Sequence, residues 1–205
     1  MFSGIVQEIG IVQKLESKNG ILELTISSSK FQDLEIGSSI AVNGCCQTVV
    51  KVASPESRIT FVVQATDETV KKTNFSFFKP NSKVNLECSL KINEKLDGHL
   101  VLGHIDTTGT VIELRSFGEN TVVKISFPGE YRKYIAPKGS IAVNGVSLTV
   151  VDVEKDNFSF TLIPFTRDNT NLGMMVSGDA VNLEIDLISR YLINYLENSK
   201  ELIKQ

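Results

Sequence analysis

Short, partly alternating runs of apolar and polar residues recur along this chain, separated by turn dipeptides. Ile21–Ser27 (ILELTIS) and Thr121–Phe127 (TVVKISF) alternate in part, and Ile40–Val52 is rich in Val and Thr. Arg58–Val63 and Asn157–Ile163 are short β-branched or aromatic runs. Such runs predict strands that pack one face of a pleated surface. Asn43-Gly44 and Asn144-Gly145 sit between β-rich runs, and this dipeptide suits a tight hairpin turn that needs positive φ at both central positions. Short strands punctuated by turns point to a barrel or sandwich rather than a parallel sheet. A small closed barrel is favoured, because closure leaves no exposed edge. The last stretch changes period. Leu187–Gln205 places Ile188, Tyr191, Leu192, Tyr195, Leu196 and Ile203 near one face of a helix. A lone helix of this length is marginal in water. Its apolar stripe therefore needs a partner, either its own barrels or a neighbouring subunit.

The strand pattern occurs twice. Ser39–Val52 (SIAVNGCCQTVVKV) and Ser140–Val153 (SIAVNGVSLTVVDV) agree at ten of fourteen positions, 101 residues apart. Background composition would give about one match. Other fragments follow in the same order. Gly4–Gly10 faces Gly103–Gly109, Thr60-Phe61 faces Ser159-Phe160, Thr73-Asn74-Phe75 faces Thr170-Asn171-Leu172, and Val84–Glu87 faces Val181–Glu184. The later offsets drop to 97, so the first copy carries a few extra residues before Thr69. Two copies are too few for a solenoid. The expectation is two similar domains in tandem: residues 1–97, residues 98–187 and a helix over 188–205.

Composition narrows the class. A chain of 205 residues, 41% hydrophobic, can form two cores of about 100 residues each. The net charge is −3 with no basic block, which argues against a phosphate-backbone footprint and so against nucleic acid. No apolar run is long enough for a membrane helix. The start, Met-Phe-Ser-Gly-Ile-Val-Gln-Glu, lacks the basic and apolar regions of a secretory signal. Cys45, Cys46 and Cys88 are odd in number, two of them adjacent, and make no disulfide framework. Without CxxC, and with two histidines, no zinc site of usual spacing is present. These features read as a protein of a reducing cytoplasm.

Four segments together resemble the riboflavin synthase family. They are Met1–Val6 (MFSGIV), Asn43–Val49 (NGCCQTV) with its partner Asn144–Val150 (NGVSLTV), Gly98–Ile105 (GHLVLGHI), and Val181–Asp186 (VNLEID) before the final helix. The likeness covers essentially the whole chain. It implies two tandem six-stranded Greek-key β-barrels plus a C-terminal α-helix. Each barrel would bind one 6,7-dimethyl-8-ribityllumazine, and the active site would lie between the N-terminal barrel of one subunit and the C-terminal barrel of another. The implied assembly is a homotrimer held in part by the terminal helices, with lumazine synthase, whose capsid can enclose such trimers, as a further partner. The implied reaction passes a four-carbon unit from one lumazine to the other, giving riboflavin without metal or organic cofactor. Lumazine- or flavin-binding antenna proteins share the family and do not turn over. They typically lose the second Cys of NGCC and the His of GHI, both present here as Cys46 and His104.

The resemblance assigns Cys46, His104, Ser147 and Asp186 to the chemistry. Short thiol and hydroxyl groups just after a turn can bond a ring edge or a ribityl hydroxyl. Cys46 and Ser147 are equivalent in the repeat, as are Thr48 and Thr149. Cys45 should face the core, since neighbours on a strand point to opposite sides. Histidine as a residue type suits proton transfer, which makes His104 a candidate, whereas His99 reads as structural. Asp186 reads as a helix N-cap and, by the resemblance, as a neighbour of Ser147. Further ligand-lining residues implied are Gly4, Ile5, Val6, Ser39, Gln47, Thr48, Ile105, Lys138, Leu148 and Thr149. Two closing loops complete the set: Gln64, Ala65, Thr66, Asp67, Glu68 and Thr69 in the first copy, and Ile163, Pro164, Phe165, Thr166, Arg167 and Asp168 in the second. The N-terminus is expected to line the first barrel's site, and Gly98–Ile105 to open the second barrel. Phe165 stands where a Glu or His is common in the family.

Overall fold

The computed structural model describes residues 1–53 and 58–202. It contains two closed antiparallel barrels of six strands each. The first comprises β1 (Glu8–Lys18), β2 (Ile21–Ser28), β3 (Ser39–Val42), β4 (Cys45–Ala53), β5 (Ile59–Thr66) and β6 (Lys83–Cys88), arranged β1-β2-β5-β4-β3-β6 around the circle. The second comprises β7 (Thr107–Phe117), β8 (Asn120–Ser126), β9 (Ser140–Val143), β10 (Val146–Val153), β11 (Asn157–Leu162) and β12 (Ala180–Ile185), in the equivalent order. Short helices α1 (Asp67–Lys72) and α2 (Pro164–Asn169) follow the fifth strand of each barrel, and α3 (Leu187–Leu202) ends the described chain. Ile203, expected on the α3 stripe, lies outside the described residues.

Each barrel has its own core, formed by the inward set of an alternating pattern. In the first these are Val12, Leu24, Ile26, Ile40, Val49, Phe61 and Leu86, with Phe75 from the turn before β6 buried among them. In the second they are Val111, Ile125, Ile141, Val150, Phe158 and Leu183, with Leu172 in the place of Phe75. Register shifts recur at equivalent points, Val12/Lys14 with Val111/Glu113 and Val49/Lys51 with Val150/Asp152. Bulges of this kind bend a strand around a barrel corner. The registers correct one detail of the sequence alignment. Phe61 lies opposite Val52 and Ile26, and Phe158 lies opposite Val153 and Ile125. Phe61 thus matches Phe158, not Phe160, and the four extra residues of the first copy all fall between Val52 and Phe61. Core side-chain period, not local likeness, fixes that register.

The two Asn-Gly turns meet where the barrels pack. Asn43 and Asn144 have φ of 45° and 46°, and Gly44 and Gly145 have φ of 78° and 77°. A Cβ on Gly44 would lie 2.6 Å from the Gly145 nitrogen, and the reverse contact is also 2.6 Å. Around this contact a symmetric asparagine lattice joins the barrels. Asn182 Nδ2 donates to Asn43 O at 2.9 Å, Asn85 Nδ2 donates to Asn144 O at 2.9 Å, and the backbone N–H groups of Asn74 and Asn171 donate to Asn182 Oδ1 and Asn85 Oδ1. Buried amides paired in this way avoid a desolvation cost of about 1–3 kcal/mol each.

Candidate active site

The lead-in segments before β1 and β7 cross. Phe2 and Val101 exchange backbone hydrogen bonds as an isolated antiparallel bridge. Both are fully or almost fully buried, together with Ala41 and Ala142. Beyond the bridge each segment reaches the other barrel. The Gly4 carbonyl accepts from the Ser147 backbone N–H at 2.8 Å, and the Gly103 carbonyl accepts from the Cys46 N–H at 2.8 Å. Val6 packs on the core of the second barrel, and Ile105 on the core of the first. The sequence-based placement is therefore exchanged. The N-terminus packs against the second barrel beside Ser147, and Gly103–Ile105 packs against the first beside Cys46. The Phe2–Val101 pairing carries each segment past its own barrel, which no local pattern encodes.

At the first barrel an open cleft of about 310 Å³ is lined by Cys45, Cys46, Gln47, Glu68, Thr69, Lys72, Thr73, Gly103, His104 and Ile105. That size is near the lower end for small-molecule sites. On β4, Cys45 is buried in the core while Cys46 and Thr48 face outward. Ser39 pairs with Thr48 across the ladder. Burial pushes the Cys46 thiol above its usual value, although the N-terminal ammonium and the Ser39 hydroxyl pull it back. Cys45, deeper still, is pushed up to about 12 by burial. Both are uncharged thiols at neutral pH. The Gln47 Oε1 is buried with no protein donor, while its Nε2 donates to Cys46 O at 2.8 Å. Lys72 and Thr73 were not anticipated. They follow Glu68 and Thr69 by one helical turn, a period visible only once Asp67–Lys72 is read as a helix.

At the second barrel Ser147 takes the place of Cys46. Its hydroxyl lies 2.7 Å from His99 Nδ1. Burial lowers the His99 pKa, and the Asp186 carboxylate acts in the opposite direction. His99, read from sequence as structural, thus joins Ser147 and Asp186, whereas His104 joins Cys46. The available signal was that His99 precedes the repeat unit and has no counterpart in the first copy. Asp186 also caps α3, accepting from the Ile188 N–H at 2.7 Å. Asp106 anchors that helix through two hydrogen-bonded contacts to Arg190, at 2.7 and 2.9 Å.

The remaining residues sort by position. Ile5, Thr149, Ile163, Phe165 and Lys138 are exposed, with Pro164 and Thr166 half-buried beside them. Lys138 holds a positive φ of 66°. Arg167 is engaged by Asp168 at 3.0 Å and by Glu119 O at 3.1 Å. Thr66 caps α1 by accepting from Thr69 N–H, and Asp67 opens that helix beside Gly20. Three expected lining side chains point elsewhere. Ala65 and Leu148 belong to the barrel cores, and Gln64 donates to Glu23 on the outer surface at 2.7 Å. Strand alternation accounts for Ala65 and Leu148, which neighbour outward positions and so face inward.

Known proteins match this architecture. The lumazine binding domain family matches twice, over residues 3–89 and 102–186. Riboflavin synthase of Actinobacillus pleuropneumoniae is 38% identical over 197 residues, spanning 96% of this chain and 90% of that protein. Riboflavin synthase of Mycobacterium tuberculosis (strain H37Rv) is 40% identical over 196 residues, spanning 94% and 96%. Among solved structures, LumP complexed with 6,7-dimethyl-8-(1'-D-ribityl) lumazine superposes with a TM-score of 0.79 at 27% identity, and LumP complexed with riboflavin with 0.81 at 28%. Each covers 90% of this chain and 99% of that one. Two lumazine-binding domains in one chain and near-full-length identity to these enzymes establish that the chain belongs to the riboflavin synthase family and is an enzyme of that type.

Proposed function

We propose that the protein converts two molecules of 6,7-dimethyl-8-ribityllumazine into riboflavin and 5-amino-6-(D-ribitylamino)uracil. One lumazine donates four carbons and becomes the uracil, and the other accepts them and becomes riboflavin, so atoms and electrons balance between the two. The observation that carries the reading is the pair of equivalent half-sites, each built around a short polar side chain, Cys46 or Ser147, at the start of a strand. A reaction between two copies of one substrate needs two related pockets. Holding two rings in register supplies up to about 7–11 kcal/mol of the barrier as orientation.

The half-sites differ where the partners' roles would differ. The C7 methyl of a lumazine is acidic because the ring delocalises the carbanion. At the second barrel the His99 imidazole and the Ser147 hydroxyl share a hydrogen bond, and this pair serves as the proton relay. At the first barrel the uncharged Cys46 thiol serves as a hydrogen-bond donor toward a ring edge, with His104 beside it. No cofactor or metal is invoked.

The proposed productive site pairs the first barrel of one subunit with the second barrel of another in a homotrimer. Ile188, Tyr191, Leu192, Tyr195 and Leu196 supply an exposed apolar stripe along α3 that supports association through this helix. The test is direct. Purified protein is mixed with 6,7-dimethyl-8-ribityllumazine without added cofactor or metal, and the riboflavin absorption band is followed. Two lumazines consumed per riboflavin formed is the expected result. Tight binding without turnover would assign the protein to the antenna type instead.

A further inference from the structure

Two buried carboxylates are not used by this chemistry, yet each grips a lead-in segment. Glu87, 4% exposed on β6, accepts from Ser3 N–H at 2.7 Å, Ser3 Oγ at 2.8 Å and Gly4 N–H at 3.1 Å. Glu184, 2% exposed on β12, accepts from Leu102 N–H at 2.6 Å and Gly103 N–H at 2.9 Å. A carboxylate that accepts two adjacent backbone donors fixes both the position and the direction of that backbone. The carbonyl leaving each gripped residue is the one that bonds across to the other barrel, Gly4 to Ser147 and Gly103 to Cys46.

We propose that Glu87 and Glu184 are crossed positioning residues: each belongs to one barrel and sets the wall of the other barrel's site. Glu184 of the second barrel fixes Gly103 and His104 against Cys46. Glu87 of the first barrel fixes Gly4 and Ile5 against Ser147 and its partner His99. This rests on the two half-sites being the ligand sites, but the clamp itself can be tested without any ligand. The tolerance is small, because a Cβ on Gly103 would stand 2.5 Å from Cys46 Cβ and one on Gly4 would stand 2.7 Å from Ser147 Cβ. A segment held this closely transmits a loss of its anchor directly to the facing side chain.

The untagged chain has two histidines, one in each half-site, so their imidazole NMR signals report the sites separately. Glu184→Gln keeps the shape but turns an amide N–H toward one of the two backbone donors. It is expected to shift the His104 signal, leave His99 in place, and raise the iodoacetamide alkylation rate of Cys46 roughly tenfold. That change corresponds to the loss of one buried hydrogen bond. Cys45 in the core and Cys88 on the first barrel should keep their rates. Glu87→Gln should do the reverse, shifting His99 and leaving His104 and Cys46 alone. If each variant disturbs the site of its own barrel, both sites equally, or neither, the crossed assignment is wrong. Glu184→Asp and Glu87→Asp, which keep the charge, carry the same comparison if a Gln variant does not fold. Failure of all four to fold would mean that the carboxylates hold up the barrels, and would overturn the proposal. Absence of lumazine turnover in the parent protein would sink the proposed reaction while leaving these readouts intact.

Discussion

Substituting Gly103 by alanine separates a backbone cost from a site cost. Gly103 holds φ of +81°, and an added Cβ would meet Cys46 Cβ at 2.5 Å, Cys46 N at 2.9 Å and Phe2 Cε2 at 3.0 Å. The left-handed backbone alone costs a non-glycine residue about 1–2 kcal/mol. The clash adds the cost of overpacking, about 1–3 kcal/mol, because Phe2 is fully buried and the Cys46 N–H is tied to the Gly103 carbonyl at 2.8 Å. Gly37 supplies the control, since its φ is +93° and nothing lies within 4 Å of its Cβ position. Gly37→Ala is therefore expected to cost about 1–2 kcal/mol in urea unfolding, with turnover unchanged. Gly103→Ala should cost about 2–5 kcal/mol, or else displace the lead-in segment and lose turnover. Equal stability and equal activity for the two variants would refute the tight packing of this segment against Cys46.

Other expectations follow from the same geometry. Ser147→Ala removes the hydroxyl beside His99, and kcat should fall roughly 100-fold or more with little change in stability; unchanged kcat would remove this pair from proton transfer. Burial raises the Glu184 pKa to about 7, against the Leu102 and Gly103 N–H groups, with the Asp106 charge raising it further and Arg190 lowering it; Cys45 and Cys46 are its other titratable neighbours. Because the folded-state pKa is the higher one, its stabilising contribution is complete below about pH 4.5 and is lost as pH rises through 7, on the order of 3 kcal/mol in total. The difference in unfolding free energy between parent and E184Q should trace that loss, and a pH-independent difference would contradict it. Leu192→Glu, in the exposed stripe of α3, should dissociate the proposed trimer in sedimentation velocity and abolish turnover without shifting the barrels' unfolding midpoint; a parent protein that sediments as a monomer, or a variant that associates like the parent, would contradict association through this helix.

Much of the fold can be read in the chain because its determinants are local and occur twice. The Asn-Gly pairs fix two hairpins, since few other residues adopt successive positive φ values. The repeated SIAVNG segment fixes the equivalence of Cys46 and Ser147. The period of Ile188–Leu196 fixes a helix, and Asp186 is legible as its cap. The chain therefore specified two like barrels, their hairpins and a terminal helix, and its family resemblance offered Cys46, His104, Ser147 and Asp186 as candidate positions. It could not specify which lead-in segment serves which barrel. That depends on Phe2 meeting Val101, a contact between residues 99 positions apart that becomes favourable only once both barrels exist to bury the pair. His104 consequently joined Cys46, and His99 joined Ser147. The same packing gave Glu87 and Glu184 their donors. Strand alternation in the sequence says that a side chain faces inward or outward, but only the tertiary structure decides what it faces, because that neighbour comes from a distant part of the chain.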